Sequence, residues 1–284
     1  MEPRTAQDVK AFAQTLQKLI DEEKEGVLAL VVRSVGSAPG RVGAKAVILP
    51  DGTIHGTVGG GVVEARVIAD ALDVLEDGRG PRTLHYKLDE LGMSCGGQMS
   101  VYLEPLQHPK RIVVYGAGHV GQAVCRVMKL LGCRVTVIDD RPEWASRERF
   151  AEVDELLVLP FSEALEKHPP GERDHAIVVT RGHDNDQLVL EGIIDKGVAW
   201  IGVIGSRKKA AQIRQQLEQK GIDPSLVEKV QCPVGLDIGA VTPEEIAISI
   251  AAQLVAVWRR SPAAQQKAMS QPRPMPPRPP EQQK

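Results

Sequence analysis

Four groups of residues have types and spacing that could do chemistry. The first is a thiol: Cys95 stands in GMSCGGQM, beside Gly96 and Gly97 and just ahead of a strand-like run. A structural cysteine normally packs among apolar side chains, whereas a turn of small residues lets backbone approach a ligand closely, so Cys95 reads as exposed. The second is GTVGGGVVE, where Gly59, Gly60 and Gly61 precede a helical pattern and present a helix amino terminus suited to an anion.

The third is GAGHVG, directly after the strand RIVVY and opening a helix. Gly116 permits the tight turn, Gly118 lets a pyrophosphate approach the backbone, and Gly121 lets helix and strand pack closely, with His119 and Val120 between them. About 20 residues on, where this fingerprint places an acid on a ribose hydroxyl, stand Asp139 and Asp140. The fourth is polar: Thr180 to Asp186 and Gly205 to Lys208 follow two further strands, and ligands of open parallel sheets lie beyond the carboxyl ends of strands. Arg181 and Arg207 suit anionic groups, His183 and Asp184 suit proton transfer or hydrogen bonding, and Ser206 joins them among the candidate cofactor-binding residues. Spacing alone assigns no acid–base pair, and no HExxH-type metal signature is present.

The elements that must position these groups fall into two halves. Thr5 to about Glu23 reads as an amphipathic helix; VLALVVRSVG, AKAVILP and TIHGTV read as strands, VVEARVIADALDVLEDG as a helix, and TLHYKL and MSVYLEPL as strands joined by the cysteine turn. Residues 1–107 therefore form a smaller α+β domain. From Arg111 strands and helices alternate, including a short helical region near Arg147 and a helix after Asp186, the signature of a parallel sheet with crossover helices. The fold class is α/β, with residues 108–260 a Rossmann-like dinucleotide-type domain. Its last helix begins at a capping box, Thr242 with Glu245, with Pro243 at the first helical position. Residues 261–284, rich in Pro, Gln and Arg, read as a disordered tail.

Composition excludes several classes of partner. The 42 % apolar and 25 % charged content is that of a soluble globular chain, and no apolar run approaches the roughly 20 residues that span a bilayer. With no apolar signal core near the start, a cytoplasmic location is the default. A net charge of −2 gives no reason to expect nucleic acid or an anionic membrane. Cys125 and Cys133 read as packing residues, Cys232 lies at a strand end, and no close-spaced pair suggests structural zinc.

Taken together, GSAPGRVGAKAVILPDGTIHGTVGGGVVE, MSCGG, VVYGAGHVG, VTVIDDRPE, VTRGHDND, IGVIGSRKK and PVGLDIGAVTPEEIAISI closely resemble the xanthine dehydrogenase accessory protein family (XdhC/CoxI). The likeness runs from the first strand through the Thr242 helix. It implies a cofactor-binding chaperone rather than a turnover enzyme, one that binds the molybdenum cofactor (molybdopterin) and protects it while a cysteine desulfurase supplies sulfur. The cofactor would then be inserted into a molybdenum hydroxylase apoenzyme. Carried over, Cys95 contacts the molybdenum or its sulfur, which suits a soft thiolate, and Arg41 or Lys45 would help receive the phosphate and lower the thiol pKa. NAD or another nucleotide is the alternative ligand of the GAGHVG cleft. An NAD(P)-dependent oxidoreductase, with Asp139 favouring NAD, and a nucleotide-sensing module are the competing functions. The oligomeric state stays open, with a homo-oligomer a fair expectation.

Overall fold

The computed structural model describes residues 6–77, 80–92, 96–106 and 108–259. The chain divides into two compact units, Met1–Pro109 and Lys110–Lys284.

In the first unit α1 (Ala6–Asp21) precedes β1 (Gly26–Gly36), β2 (Lys45–Ile48), β3 (Ile54–Gly56), α2 (Gly61–Asp77), β4 (Arg82–Lys87) and β5 (Gly97–Leu106). The five strands form one antiparallel sheet in the order β3-β2-β1-β5-β4. Strand alternation puts Val27, Ala29, Val31, Val101 and Leu103 in one core with Val63, Val67, Ala71 and Val74, which recur at helical spacing on α2. Burying a valine or leucine side chain stabilises by about 1.5–3 kcal/mol, so this layer holds α2 on one face of the sheet.

The second unit runs β6 (Arg111–Tyr115), α3 (His119–Leu130), β7 (Arg134–Asp139), β8 (Glu155–Val158), α4 (Phe161–Lys167), β9 (Asp174–Val178), α5 (His183–Ile193), β10 (Trp200–Val203), α6 (Arg207–Gln219), α7 (Pro224–Val227), β11 (Val230–Gln231) and α8 (Pro243–Trp258). Its parallel sheet has the order β11-β10-β9-β6-β7-β8. This is the doubly wound dinucleotide-fold order, with the chain reversing direction between β6 and β9. Both faces are covered. Ile112, Val114, Val135, Val137 and Ile177 meet α3 and α8 on one side, while Val113, Tyr115, Ile138, Ala176 and Val178 meet α4, α5 and α6 on the other. The capping box at Thr242 forms as its sequence requires: the Thr242 hydroxyl accepts from the Glu245 amide (3.2 Å) and Glu245 accepts from the Thr242 amide (3.0 Å).

Three local readings change. The region near Arg147 is a series of turns, held open because Arg149 donates to the carbonyls of Ala117 (3.1 Å) and Trp144 (2.7 Å) and Arg147 to that of Val153 (3.0 Å). The helix expected after Asp186 starts at His183, because Gly182, at φ 113°, turns the chain there. Finally, α7 and β11 had no counterpart in the sequence reading, being too short to establish a period. The expected disordered tail, 261–284, lies outside the described residues, and among those described no helix is long and apolar enough to cross a membrane.

Candidate functional site

In the first unit the two glycine segments are tied to one loop. Gly97 faces Gly36 across the β1–β5 ladder, and a Cβ on it would stand 2.9 Å from the Val35 carbonyl oxygen and 3.1 Å from the Ala38 nitrogen. Gly59, at φ 138°, packs so closely on Gly40 that a Cβ would lie 2.6 Å from the Gly40 nitrogen, and one on Gly40 would lie 2.6 Å from the Met99 sulfur. The segment Gly36–Gly43 thus joins the Gly59 turn to the start of β5, and only backbone fits at these contacts. Gly60 (φ 80°), Gly61 (φ 63°) and Gly96 have nothing within 4 Å of a Cβ, so space opens beside the same joint.

Side chains complete the turn. Glu64, in the first turn of α2, accepts from the Thr57 hydroxyl (2.6 Å) and the Val58 amide (3.2 Å), and the Gly59 amide donates to Thr57 Oγ1 (3.1 Å). An acid at that position also suits the helix dipole. Arg41 is exposed in the joining loop, whereas the Lys45 ammonium lies over the Phe12 ring at 5.6 Å. Cys95 lies outside the described residues. The other thiols are free, and burial raises their pKa values: Cys125 to about 12, Cys232 to about 11, and Cys133 upward. Thiols held protonated in this way make poor nucleophiles and poor ligands.

In the second unit the glycines of GAGHVG divide their work. Gly116, at φ 120°, packs its backbone on Val179 and Thr180, and a Cβ on Gly121 would overlap the Gly116 carbonyl oxygen, whereas Gly118 faces open space. Asp139 is 1 % exposed and fully engaged. Its Oδ2 accepts from the Ala117 amide (2.7 Å) and Arg141 Nη2 (2.8 Å), and its Oδ1 from Arg141 N (3.0 Å) and Nε (2.8 Å). Burial pushes this carboxyl up, and the hydrogen bonds from Arg141 and Ala117 outweigh it, leaving the pKa below the usual carboxylate value. Asp140 meets Arg181, whose Nη2 donates to Oδ2 at 3.0 Å.

Of the remaining expected site residues, Val120 is half-buried against the core, Ser206 caps α6 by accepting from the Lys209 amide (3.2 Å), and Arg207 is exposed in the first turn of α6. His119 makes an edge-on contact with Trp144, ring centroids 5.1 Å apart. His183 and Asp184 are exposed in the first turn of α5.

Several supporting residues escaped the sequence reading. The guanidinium groups of Arg141 (5.0 Å) and Arg149 (4.7 Å) both lie over the Trp144 ring, cation–π contacts beside the glycine turn. In a chain with 3 tryptophans, one set between arginines in a loop was a usable signal. Asp186 is completely buried: it accepts from the Thr180 hydroxyl (2.7 Å) and pairs with Lys209, which also donates to the Ile204 carbonyl (2.8 Å). That ion pair fastens the start of α5 to the start of α6, a contact between loops that no sequence spacing reveals. Among the described residues, no cluster of three or more His, Cys, Asp or Glu could hold a metal ion.

Residues 112–254 match the family model described as the XdhC Rossmann domain, and residues 19–87 the model described as the XdhC and CoxI family. The chain is 35 % identical over 251 residues to the uncharacterized protein YqeB of Escherichia coli K12, covering 86 % of this chain and 46 % of YqeB. It is 26 % identical over 161 residues to a probable xanthine dehydrogenase subunit of Bacillus subtilis 168, covering 57 % of this chain and 47 % of that protein. The chain thus spans about half the length of either curated relative. A crystal structure of a xanthine dehydrogenase from Bacillus halodurans superposes with a TM-score of 0.50 at 23 % identity, covering 88 % of this chain and 96 % of that one. At that identity the likeness speaks for the fold alone.

Proposed function

Because the chain belongs to the XdhC and CoxI family, we propose that it is a maturation factor for a xanthine dehydrogenase-type molybdenum hydroxylase. In this reading it binds the molybdenum cofactor (molybdopterin), shelters it while a cysteine desulfurase provides sulfur, and delivers it to the apoenzyme in the cytoplasm. It acts as a chaperone of the cofactor, with no turnover of its own.

The observation that carries this reading is the glycine joint, where Gly36–Gly43, the Gly59 turn and Gly97 meet backbone to backbone and leave Gly60, Gly61 and Gly96 open. Molybdopterin brings a phosphate and a soft metal to one molecule, and the residues present fit that combination. The uncrowded glycine turn at the amino terminus of α2, with Arg41 exposed in the adjoining loop, suits the phosphate. Cys95, next to Gly96 in sequence, is the thiol assigned to the metal or its sulfur. Burial holds the thiols of Cys125, Cys133 and Cys232 protonated, so none of them competes for that role. When bound, the cofactor supplies the metal centre at which the hydroxylase later works. The chain's own part is to fix the phosphate, clear room beside the thiol and keep the centre from bulk water.

The experiment is to produce the hydroxylase in cells carrying the wild-type chain, Cys95→Ser or Gly60→Val, and to measure hydroxylase activity together with its pterin content. The expected result is at least a tenfold loss of activity with either variant, roughly the loss of a charge-assisted contact or more. Full hydroxylase activity in cells carrying Cys95→Ser would overturn the assignment.

A further inference from the structure

The Rossmann cleft of the second unit raises a separate question: what can it bind? In this fold a dinucleotide lies over the glycine turn at the end of β6 and reaches toward the ends of the flanking strands, here β7 and β9. The usual recognition of an unphosphorylated ribose uses a carboxylate at the end of the second strand. Here that carboxylate is Asp139, and a carboxylate has about four lone-pair sites. All are taken, by the Ala117 amide (2.7 Å), Arg141 N (3.0 Å), Arg141 Nε (2.8 Å) and Arg141 Nη2 (2.8 Å), so a ribose diol finds no acceptor there. The β7 end instead offers part of a guanidinium: Arg141, stacked on Trp144, gives Nε and Nη2 to Asp139 but keeps Nη1 outside that pair, where an arginine receives the extra phosphate of a 2′-phosphorylated dinucleotide.

The second observation is the Asp140–Arg181 contact. Asp140 follows β7 and Arg181 follows β9, and β6 lies between those strands. Neighbouring strands are about 4.8 Å apart, so this 3.0 Å bridge links loops roughly 10 Å apart on either side of β6, the strand that leads into the glycine turn. It is built to exchange. The Arg181 side chain is 53 % exposed, an accessible pair of this kind is weak, and Asp140 Oδ1 makes no hydrogen bond, only a looser ion pair with Arg141 Nε at 3.8 Å that holds Asp140 in place when Arg181 leaves.

We propose that the Asp140–Arg181 bridge is a strap over the cleft that an anionic dinucleotide opens by taking Arg181 from Asp140. The cleft then selects its ligand by phosphate charge and prefers an NADP-type dinucleotide to an NAD-type one. A ligand phosphate offers Arg181 more charge and more acceptors than one half-satisfied carboxylate does. Asp139 acts as a positioning residue, pinning the Ala117 amide and Arg141, and Arg181 and Arg141 touch the ligand. The inference concerns the second unit alone and does not rest on the maturation reading.

The test is calorimetric titration of the full chain, without molybdenum cofactor, with NADP+ and NAD+, using wild type, Arg181→Gln and Asp140→Asn. NADP+ should bind about tenfold tighter than NAD+ or better, and Arg181→Gln should weaken NADP+ by about tenfold or more. Asp140→Asn should tighten both ligands several-fold, because it frees Arg181 without removing it. Weakening by Asp140→Asn, the result a ribose-binding acid would give, overturns the strap, as does NAD+ binding as tightly as NADP+ or binding of neither. Should Arg181→Gln fail to fold, the sign of the Asp140→Asn effect still decides. Failure of this inference would leave molybdopterin binding by the first unit untouched.

Discussion

A Cβ added at Gly121 would overlap the carbonyl oxygen of Gly116, whereas one at Gly118 would meet nothing within 4 Å. The two glycines occupy the same motif, yet one is required by packing and the other leaves room for a ligand. Gly121→Ala should therefore destabilise by about 2 kcal/mol or more through backbone overpacking. Gly118→Ala, at an ordinary φ of −66°, should stay within about 0.5 kcal/mol of wild type while weakening nucleotide binding. Urea unfolding of the two variants, followed by circular dichroism, checks the contrast; equal losses would remove the distinction. The sequence made these roles legible because spacing alone dictates which glycine meets the strand. It could not show that Asp139 is consumed by Arg141 two residues on, since a carboxylate's partners depend on side-chain rotamers and not on position in a motif.

At the scale of elements, the carboxyl-terminal end of α8 is fixed by an indole–imidazole contact. Trp258 Nε1 donates to His175 Nε2 at 2.9 Å, and His175 Nδ1 lies 3.3 Å from the Arg111 carbonyl oxygen. This arrangement needs a neutral ring that donates from Nδ1 and accepts at Nε2, because a protonated Nε2 would face the indole N–H. Burial lowers the His175 pKa below its ordinary value of 6.5. The folded state thus binds a proton less readily than the unfolded chain, so this contribution is complete above about pH 6.5 and is lost as pH falls toward the folded value. Melting temperature should drop between pH 7 and pH 5, and His175→Gln should flatten that drop. An unchanged pH dependence in the variant would show that other groups set it. Much at this scale was readable: the capping box fixed the start of α8, and runs of apolar residues marked the parallel strands. What failed was local. Arg149 holds a would-be helix as turns through contacts with Ala117 and Trp144, and the short α7 and β11 depend on tertiary packing for their existence.

For the whole molecule, an antiparallel sheet with its two helices gives way near Pro109 to regular β/α alternation. Each architecture has its own hydrophobic period, so that change of pattern is legible in the chain itself. The meeting of Gly36–Gly43, the Gly59 turn and Gly97 was less accessible. These segments are separated by up to sixty residues in the chain and come together only through the β1–β5 ladder and the packing of α2. That joint is where the proposed molybdopterin site lies, and the Rossmann cleft carries the second proposal, a charge-selecting dinucleotide site. The two proposals concern different units, so each has its own test.

The most direct measurement is the mass-identified stoichiometry of pterin bound after the full chain, wild type or Cys95→Ser, is mixed anaerobically with released molybdenum cofactor and separated from excess. The account predicts about one molybdopterin per wild-type chain, loss of most of it in Cys95→Ser, and the same wild-type result with NADP+ present in excess. No pterin on the wild type, or equal pterin on both proteins, would contradict it.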